Sequence, residues 1–314
     1  MGDFHQNGNI ATLHNLSDRP VEEIEKDLIE FSRYRLMGLV IPSLYSELQT
    51  PALEKIVSEI SRVPYLNELV IGLDRADESE YRHALKFFSR LPQHHRVLWN
   101  DGPRLRALDA QLAEKGLSPS PPGKGRNVWY CYGYTLASGR AEAVALHDAD
   151  IKTYTREMLA RLIYPVANPS LSFDFSKGYY ARSDGSSLGG RVTRLLVTPL
   201  ILALRVVCGR NDYLDFLHSF RYPLAGEFAL RRDVINDLRL PTDWGLEIGV
   251  LREMHRNHST NRICQVDIAD SYDHKHQDLS PEDASTGLSK MSIDIAKAMY
   301  RKLAIQGETF SLSL

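Results

Sequence analysis

The stretch Val144-Ala-Leu-His-Asp-Ala-Asp-Ile151 decides how the chain is read. Val144, Ala145 and Leu146 form the apolar run of a buried strand, and Asp148 and Asp150 follow, one residue apart, where the strand gives way to a loop. The side-chain period of an extended chain is two residues, so both carboxylates leave the same side. Two carboxylates on one side repel each other unless a cation stands beside them. A hard divalent ion with oxygen ligands, Mg2+ or Mn2+, satisfies the pair and usually holds substrate phosphates as well. The competing reading is an exposed acidic pair capping the next helix, because an isolated D-x-D is short and common.

Upstream, strands and helices alternate. Residues 21–33 place Ile24, Leu28 and Phe31 at helical spacing. Leu36 to Ile41 is a short buried strand that stops at Pro42, with Pro42–Glu47 as its loop. Thr50-Pro51 opens a helix as N-cap and first-turn proline. Leu66 to Leu73 is a second strand ending at Asp74, with Asp77 in the loop, followed by a helix over 81–90. A third strand covers 96–99 and another helix 104–115. A Pro/Ser/Gly loop over 116–125 carries Lys124, and Asn127 to Ala137 is helical. This alternation implies parallel strands with crossover helices, whose ligands bind beyond the carboxyl ends of the strands. Pro42–Glu47, Asp74–Asp77 and Asp148–Asp150 therefore converge on one edge.

The second half is less regular. A strand is expected from Ser170 to Tyr180, a Gly/Ser-rich loop over 183–190, and a long apolar helix from Arg191 through Val207. Tyr222–Phe228 leads to a helix from Arg231, and Asp243–Gly249 opens another that ends near His258. Ile263–Ile268 is a strand, with Asp273-His-Lys-His276 just past it. Ser280-Pro281 begins the last helix, and Asp283 completes a capping box. Arg191 follows Gly189-Gly190 at a helix start, where backbone N–H groups, the helix dipole and a guanidinium fork favour a phosphate or carboxylate. His274 suits a metal through its neutral imidazole. Glu247 sits among Ile248, Val250 and Leu251 and needs a partner, either a substrate hydroxyl or a helix-start amide. Lys124 in a loop is by default a solvated lysine, and His147 reads as a satisfied strand-end histidine.

With 314 residues, 43% hydrophobic and 25% charged, the chain can build a sizeable core in one large α/β unit or about two domains. A net charge of −2 gives no basic surplus for nucleic acid. The three cysteines, Cys131, Cys208 and Cys264, have no zinc or redox spacing and fit a reducing compartment. The most apolar run, Leu195 to Cys208, contains Thr198, Pro199 and Arg205 and is too short to span a membrane. Residues 1–20 read as a loose arm without a signal-peptide core. A cytoplasmic protein with no membrane partner is expected, with no internal repeat and no boundary between independent domains.

Gly189-Gly-Arg-Val-Thr193, Leu224-Ala-Gly-Glu-Phe228, Trp244-Gly-Leu-Glu-Ile-Gly249 and the Asp148/Asp150 pair occur in that setting. With them, the sequence from about residue 36 to about residue 300 resembles the retaining nucleotide-sugar glycosyltransferases that make glucosyl-3-phosphoglycerate, close relatives of the mannosyl-3-phosphoglycerate makers. The resemblance implies a GT-A fold: α/β, with a mixed, mostly parallel central sheet flanked by helices in a single merged domain. It implies an N-terminal arm and helix (1–33), a nucleotide-sugar-binding half (34–152), an acceptor-binding half with the C-terminal helix (153–314), and a homodimer. Carried over by position, Pro42, Ser43, Leu44, Glu47, Asp74, Lys124, Asp148 and Ala149 bind the donor. Asp150 and His274 hold Mg2+ or Mn2+, and Gly190, Arg191, Val192, Thr193 and His276 bind the acceptor. Glu247, Asp150 and Arg191 are the catalytic set. The sequence departs from the family in three places. Ser43, Tyr45 and Ser46 stand in a loop that usually reads Pro-Ala-Leu-Asn-Glu-Glu, Ala149 replaces a common Ser, and His274-Lys275-His276 replaces His-Arg-Asn. The implied reaction moves glucose from UDP-glucose or GDP-glucose to the 2-hydroxyl of 3-phosphoglycerate with retention of configuration. The alternatives are mannosyl transfer from GDP-mannose and a catalytically silent nucleotide-binding regulatory subunit.

Overall fold

The computed structural model describes residues 9–120, 122–182, 189–274 and 287–308. In chain order its elements are β1 (Ala11–Leu13), α1 (Val21–Phe31), β2 (Met37–Leu44), α2 (Pro51–Ser61), β3 (Leu66–Asp74), α3 (Glu78–Phe88), β4 (His95–Trp99), α4 (Pro103–Glu114), α5 (Lys124–Ser138), β5 (Ala143–Leu146) and α6 (Arg156–Ala167). They continue with β6 (Phe175–Tyr180), α7 (Thr198–Cys208), α8 (Asp212–His218), β7 (Phe228–Arg231), α9 (Arg232–Asp237), α10 (Leu246–Asn257), β8 (Ile263–Ala269) and α11 (Gly287–Ile305). The eight strands form one sheet in the order β1-β8-β6-β7-β5-β2-β3-β4. Every pairing is parallel except the two made by β7, which runs against both β5 and β6. The sheet therefore draws strands from both halves of the chain, and apolar cores cover both of its faces. Buried on both sides, its central strands read as near-continuous apolar runs.

Several boundaries differ from the sequence reading for physical reasons. Strand β2 continues through Pro42 to Leu44, because its pairing with β5 ends at Val40. Beyond that point Pro42 faces no partner there that needs its missing N–H, and it pairs only with Gly72 on the β3 side. Lys124 is the first residue of α5 rather than a loop residue. Part of the N-terminal arm is ordered, since Ala11–Leu13 adds a parallel strand beside β8. Strand β7, four residues long, was absent from the sequence reading. Thr50 caps α2 and Asp77 caps α3 through a full capping box. His276 and the Ser280-Pro281-Asp283 helix start lie outside the described residues. No helix among the described residues is long and apolar enough to cross a membrane.

Helix α5 closes on β3 over Gly72. A Cβ at this position would overlap Asn127 Oδ1 and crowd Cys131 Sγ. The Asn127 amide donates to the Gly72 carbonyl at 2.9 Å and to Asp74 Oδ2 at 3.1 Å. Gly72→Ala is expected to destabilise the protein by about 1–3 kcal/mol, the usual cost of overpacking, measured as a shifted denaturant midpoint with an unchanged m-value.

Candidate active site

The charged residues gather where β5, β2 and β3 end. Strand β5 stops at Leu146, so Asp148 and Asp150 lie in the loop beyond it. The two carboxylates take different partners. Asp148 Oδ1 accepts Lys124 Nζ at 2.6 Å. Asp150 Oδ2 lies 3.7 Å from His274 Nδ1. An isolated antiparallel bridge between Ile151 and His274 brings the histidine in. Two bonds from Lys152 to Asp273 reinforce it, the N–H to the carbonyl at 2.8 Å and Nζ to Oδ2 at 2.9 Å.

The two acids still feel each other. Burial and then the nearby Asp148 charge push the Asp150 carboxyl up to about 7. Burial also acts to raise Asp148, but the Lys124 ammonium overrides it and leaves that group below its ordinary range. Asp148 thus has the lysine as its counter-charge, whereas Asp150 lies beside the His274 imidazole. A carboxylate oxygen and an imidazole nitrogen at this separation, each side chain about one quarter exposed, fit two ligands of an Mg2+ or Mn2+ ion. No three His, Cys, Asp or Glu side chains among the described residues are gathered so as to enclose a metal by themselves. That donor set suits an ion completed by phosphate oxygens and water.

Lys124 stands at the first position of α5, where the helix dipole disfavours a cation. Its two carboxylate partners, Asp148 and Glu247, outweigh that cost; Glu247 Oε1 lies 3.0 Å away. Glu247 is in the first turn of α10, where the dipole favours an anion. Two glycines make the meeting possible. A side chain at Gly125 would run into Pro241 and Thr242, and one at Gly249 into Pro241, so the starts of α5 and α10 both close on this segment.

Because β7 is antiparallel, its amino end lies beside the carboxyl end of β5, with Phe228 opposite Leu146. The preceding Leu224–Glu227 turn therefore faces the Asp148 loop. A Cβ at Gly226 would overlap Asp148 Oδ2 and Lys124 Nζ. Glu227 is fully buried and its carboxylate accepts the hydroxyls of Tyr180 at 2.8 Å and Tyr272 at 2.7 Å. Burial and the Asp148 charge hold its carboxyl above the ordinary range. Lys177 is 1% exposed and donates to the Ala225 carbonyl; burial brings its ammonium down to about 8. The sequence reading missed Glu227, Lys177, Tyr180 and Tyr272. Glu227 lies inside a stretch the reading quoted, but its partners come from β6 and from the chain after β8, which no local spacing reveals.

The remaining expected donor residues line the same edge. Asp74 closes β3, buried, accepting Asn100 at 2.9 Å and Asn127 at 3.1 Å, with Arg126 at 3.6 Å. Pro42 and Ser43 are buried at the end of β2, Leu44 is half-buried, and Ala149 is buried in the acidic turn. Glu47 is buried in the next turn, and its charge helps to raise Asp150. His147 is buried with neither ring nitrogen hydrogen-bonded among the described residues, so it is not the satisfied strand-end residue expected. Burial lowers its imidazole to about 3.

On the other side, Gly190 has φ +74°, a left-handed turn that glycine accepts readily. Its carbonyl takes the Arg194 N–H at 3.0 Å. The helix thus begins at Arg191 and Val192 and runs through a π turn, Thr193–Val197, into α7. Pro199 cannot close an α turn on Leu195, which accounts for the wider turn. Arg191 is exposed, Val192 half-buried, and Thr193 buried with no partner for its hydroxyl among the described residues. Gly190 packs against Tyr222, whose ring lies 5.1 Å from that of Tyr180. Tyr180 in turn stacks on Tyr272 at 3.7 Å. One aromatic layer therefore joins the Gly189–Thr193 turn to Glu227 and the acidic loop.

A curated glucosyl-3-phosphoglycerate synthase from Persephonella marina is 49% identical over 99% of this chain and 77% of its own length. One from Methanococcoides burtonii is 40% identical over 95% of this chain and 73% of its own. This chain belongs to the glucosyl-3-phosphoglycerate synthase family. No protein-family model matches it. Among solved structures, mannosyl-3-phosphoglycerate synthase from Rubrobacter xylanophilus superposes with a TM-score of 0.70 at 21% identity, covering 96% of this chain and 83% of that one. Glucosyl-3-phosphoglycerate synthase from Mycobacterium tuberculosis, in complex with Mn2+, UDP-glucose and phosphoglyceric acid, gives 0.66 at 22% identity over 96% and 89%. The fold is that of the GT-A glycosyltransferases.

Gly226→Ala tests the packing at the centre of this site. The added methyl displaces Asp148 or Lys124, so kcat/KM is expected to fall by roughly tenfold or more, since small misplacements of a positioned group are costly. The melting temperature should stay near that of the wild type.

Proposed function

We propose that this family member transfers glucose from UDP-glucose or GDP-glucose to the 2-hydroxyl of 3-phosphoglycerate, with retention, and that it needs Mg2+ or Mn2+. The observation that carries the reading is the shared edge. The Asp150–His274 pair, the Asp148–Lys124–Glu247 chain and the Gly189–Thr193 turn stand around one aromatic layer.

Asp150 and His274 would hold the cation, which when bound supplies charge neutralisation and a template for the departing diphosphate. The end of β2, Glu47 and Asp74 take the nucleotide, in the half formed by residues 34–152. Lys124 and Asp148 fix its diphosphate-sugar end, and Ala149 leaves room between the two acids. The half formed by 153–314 takes the acceptor. The N–H groups around Gly190 and Val192, the Arg191 guanidinium and the Thr193 hydroxyl hold its anionic groups, and His276 is assigned to the same acceptor. Glu247 orients the sugar against the hydroxyl that attacks. Both Glu227 oxygens are engaged by tyrosines, so this acid serves as a fixed wall rather than a nucleophile. Such positioning supplies much of the rate, and the leaving phosphate takes the acceptor's proton on the same face.

The test is a panel of UDP-glucose, GDP-glucose and GDP-mannose, read as nucleotide release with and without 3-phosphoglycerate. Glucose donors should release nucleotide only with the acid and metal present, and a chelator should stop it. Asp150→Asn should lower kcat by about 100-fold or more, the scale for loss of one electrostatic stabiliser. Turnover only with GDP-mannose, or none with any donor, rejects the reading.

We also place the enzyme in the cytoplasm, where its three unpaired thiols fit a reducing environment, and read it as a homodimer. Leu195, Leu202 and Val206 form an exposed apolar stripe along the π turn and α7. Leu202→Glu with Val206→Glu should convert a dimer to a monomer in sedimentation velocity; an unchanged dimer puts the interface elsewhere.

A further inference from the structure

Arg182 stands two residues past the end of β6, on the same edge of the sheet. Its carbonyl accepts the Gly189 N–H at 2.7 Å. A Cβ on Gly189 would lie 3.4 Å from Arg182 Cβ and 3.6 Å from its Nε, so the side chain lies over the glycines of the anion-binding turn. One Nη donates to the Tyr222 hydroxyl at 3.4 Å, and the guanidinium lies 6.0 Å from the centroid of the Tyr272 ring. Among the described residues no carboxylate pairs with it, and the groups acting on it are the phenols of Tyr222, Tyr180 and Tyr272. Arg126, Arg156, Arg231 and Arg262, by contrast, each lie against an Asp or Glu. A partly desolvated guanidinium without a counter-ion is an incomplete anion site, and its planar fork matches a carboxylate.

We propose that Arg182 binds the carboxylate of the acceptor, between the Gly189–Thr193 turn and the Tyr222–Tyr272 wall. This rests on the reading above, in which the acceptor is an acid with a phosphate at its far end. The helix start at Arg191, with its N–H groups and dipole, suits the phosphate. Arg182 lies on the side of that turn that faces Tyr272 and Tyr180, and through them Glu227. The carboxylate is bonded to the carbon that carries the reacting hydroxyl, so it belongs on that donor-facing side. Arg182 would thereby set the attack angle as well as the affinity.

The test is Arg182→Met, with Arg182→Lys beside it, in a glucosyl-transfer assay with 3-phosphoglycerate. Competitive inhibition by glycerol 3-phosphate, which keeps the phosphate and lacks the carboxylate, is measured in parallel. Arg182→Met should raise the KM for 3-phosphoglycerate by about 10- to 100-fold, as for loss of a charge-assisted hydrogen bond. The Ki of glycerol 3-phosphate, the KM for the nucleotide sugar and the melting temperature should stay near wild-type values, and Arg182→Lys should recover part of the loss. An unchanged KM for the acid, or an equal rise for both ligands, overturns the inference while leaving the parent reading intact. A wild-type protein inactive with every nucleotide-glucose and 3-phosphoglycerate overturns both.

Discussion

The site is organised by a charge constraint. Asp148, Asp150, Glu227 and Glu247 are packed at one sheet edge, with Lys124 and Lys177 among them. Carboxylates out of water repel one another and lose hydration, so each needs a donor or a cation. Lys124 serves Asp148 and Glu247, and two tyrosines serve Glu227. Asp150 has its carboxyl pushed up to about 7, and it stands beside an imidazole. A half-buried acid beside an imidazole thus stands next to groups already neutralised by the protein's own lysine.

The geometry behind that balance comes from one reversed strand. In a fully parallel sheet the chain before β7 would enter from the opposite edge. Running antiparallel, β7 delivers Leu224–Glu227 to the edge where β5 delivers Asp148 and Asp150. Gly226 lets the two turns touch, and Lys177 ties down the Ala225 carbonyl. Two long-range groups, Tyr180 from β6 and Tyr272 from beyond β8, then lock Glu227 and carry the contact onward to the Gly189–Thr193 turn. The acidic loop and the Gly189–Thr193 turn are joined because the aromatic layer is continuous.

Local signals in the sequence were read well where they were strong. The Thr50 cap and the apolar runs of β2, β3 and β8 needed only nearest-neighbour chemistry. The convergence of the loops after β2, β3 and β5 followed from strand–helix alternation. Failures came where tertiary pairing overrode local rules. Pro42 looked like a strand end and is not, because the neighbouring strand has already finished. Ala11–Leu13 looked like a loose arm and is an edge strand. Lys124 looked like a solvated loop lysine and is a helix-start cation between two acids.

The sequence by itself determined the class of chemistry: a D-x-D after a buried strand, a glycine pair before an arginine at a helix start, and the family these motifs resemble. Those are short-range facts of backbone period, capping and side-chain type. Only the tertiary structure decided which acid pairs with lysine and which lies beside an imidazole, that Glu227 is held by two tyrosines, and that among the described residues Arg182 stands without a carboxylate beside the Gly189–Thr193 turn. These depend on groups tens to more than a hundred residues apart, and burial together with the reversed strand β7 fixes how they meet.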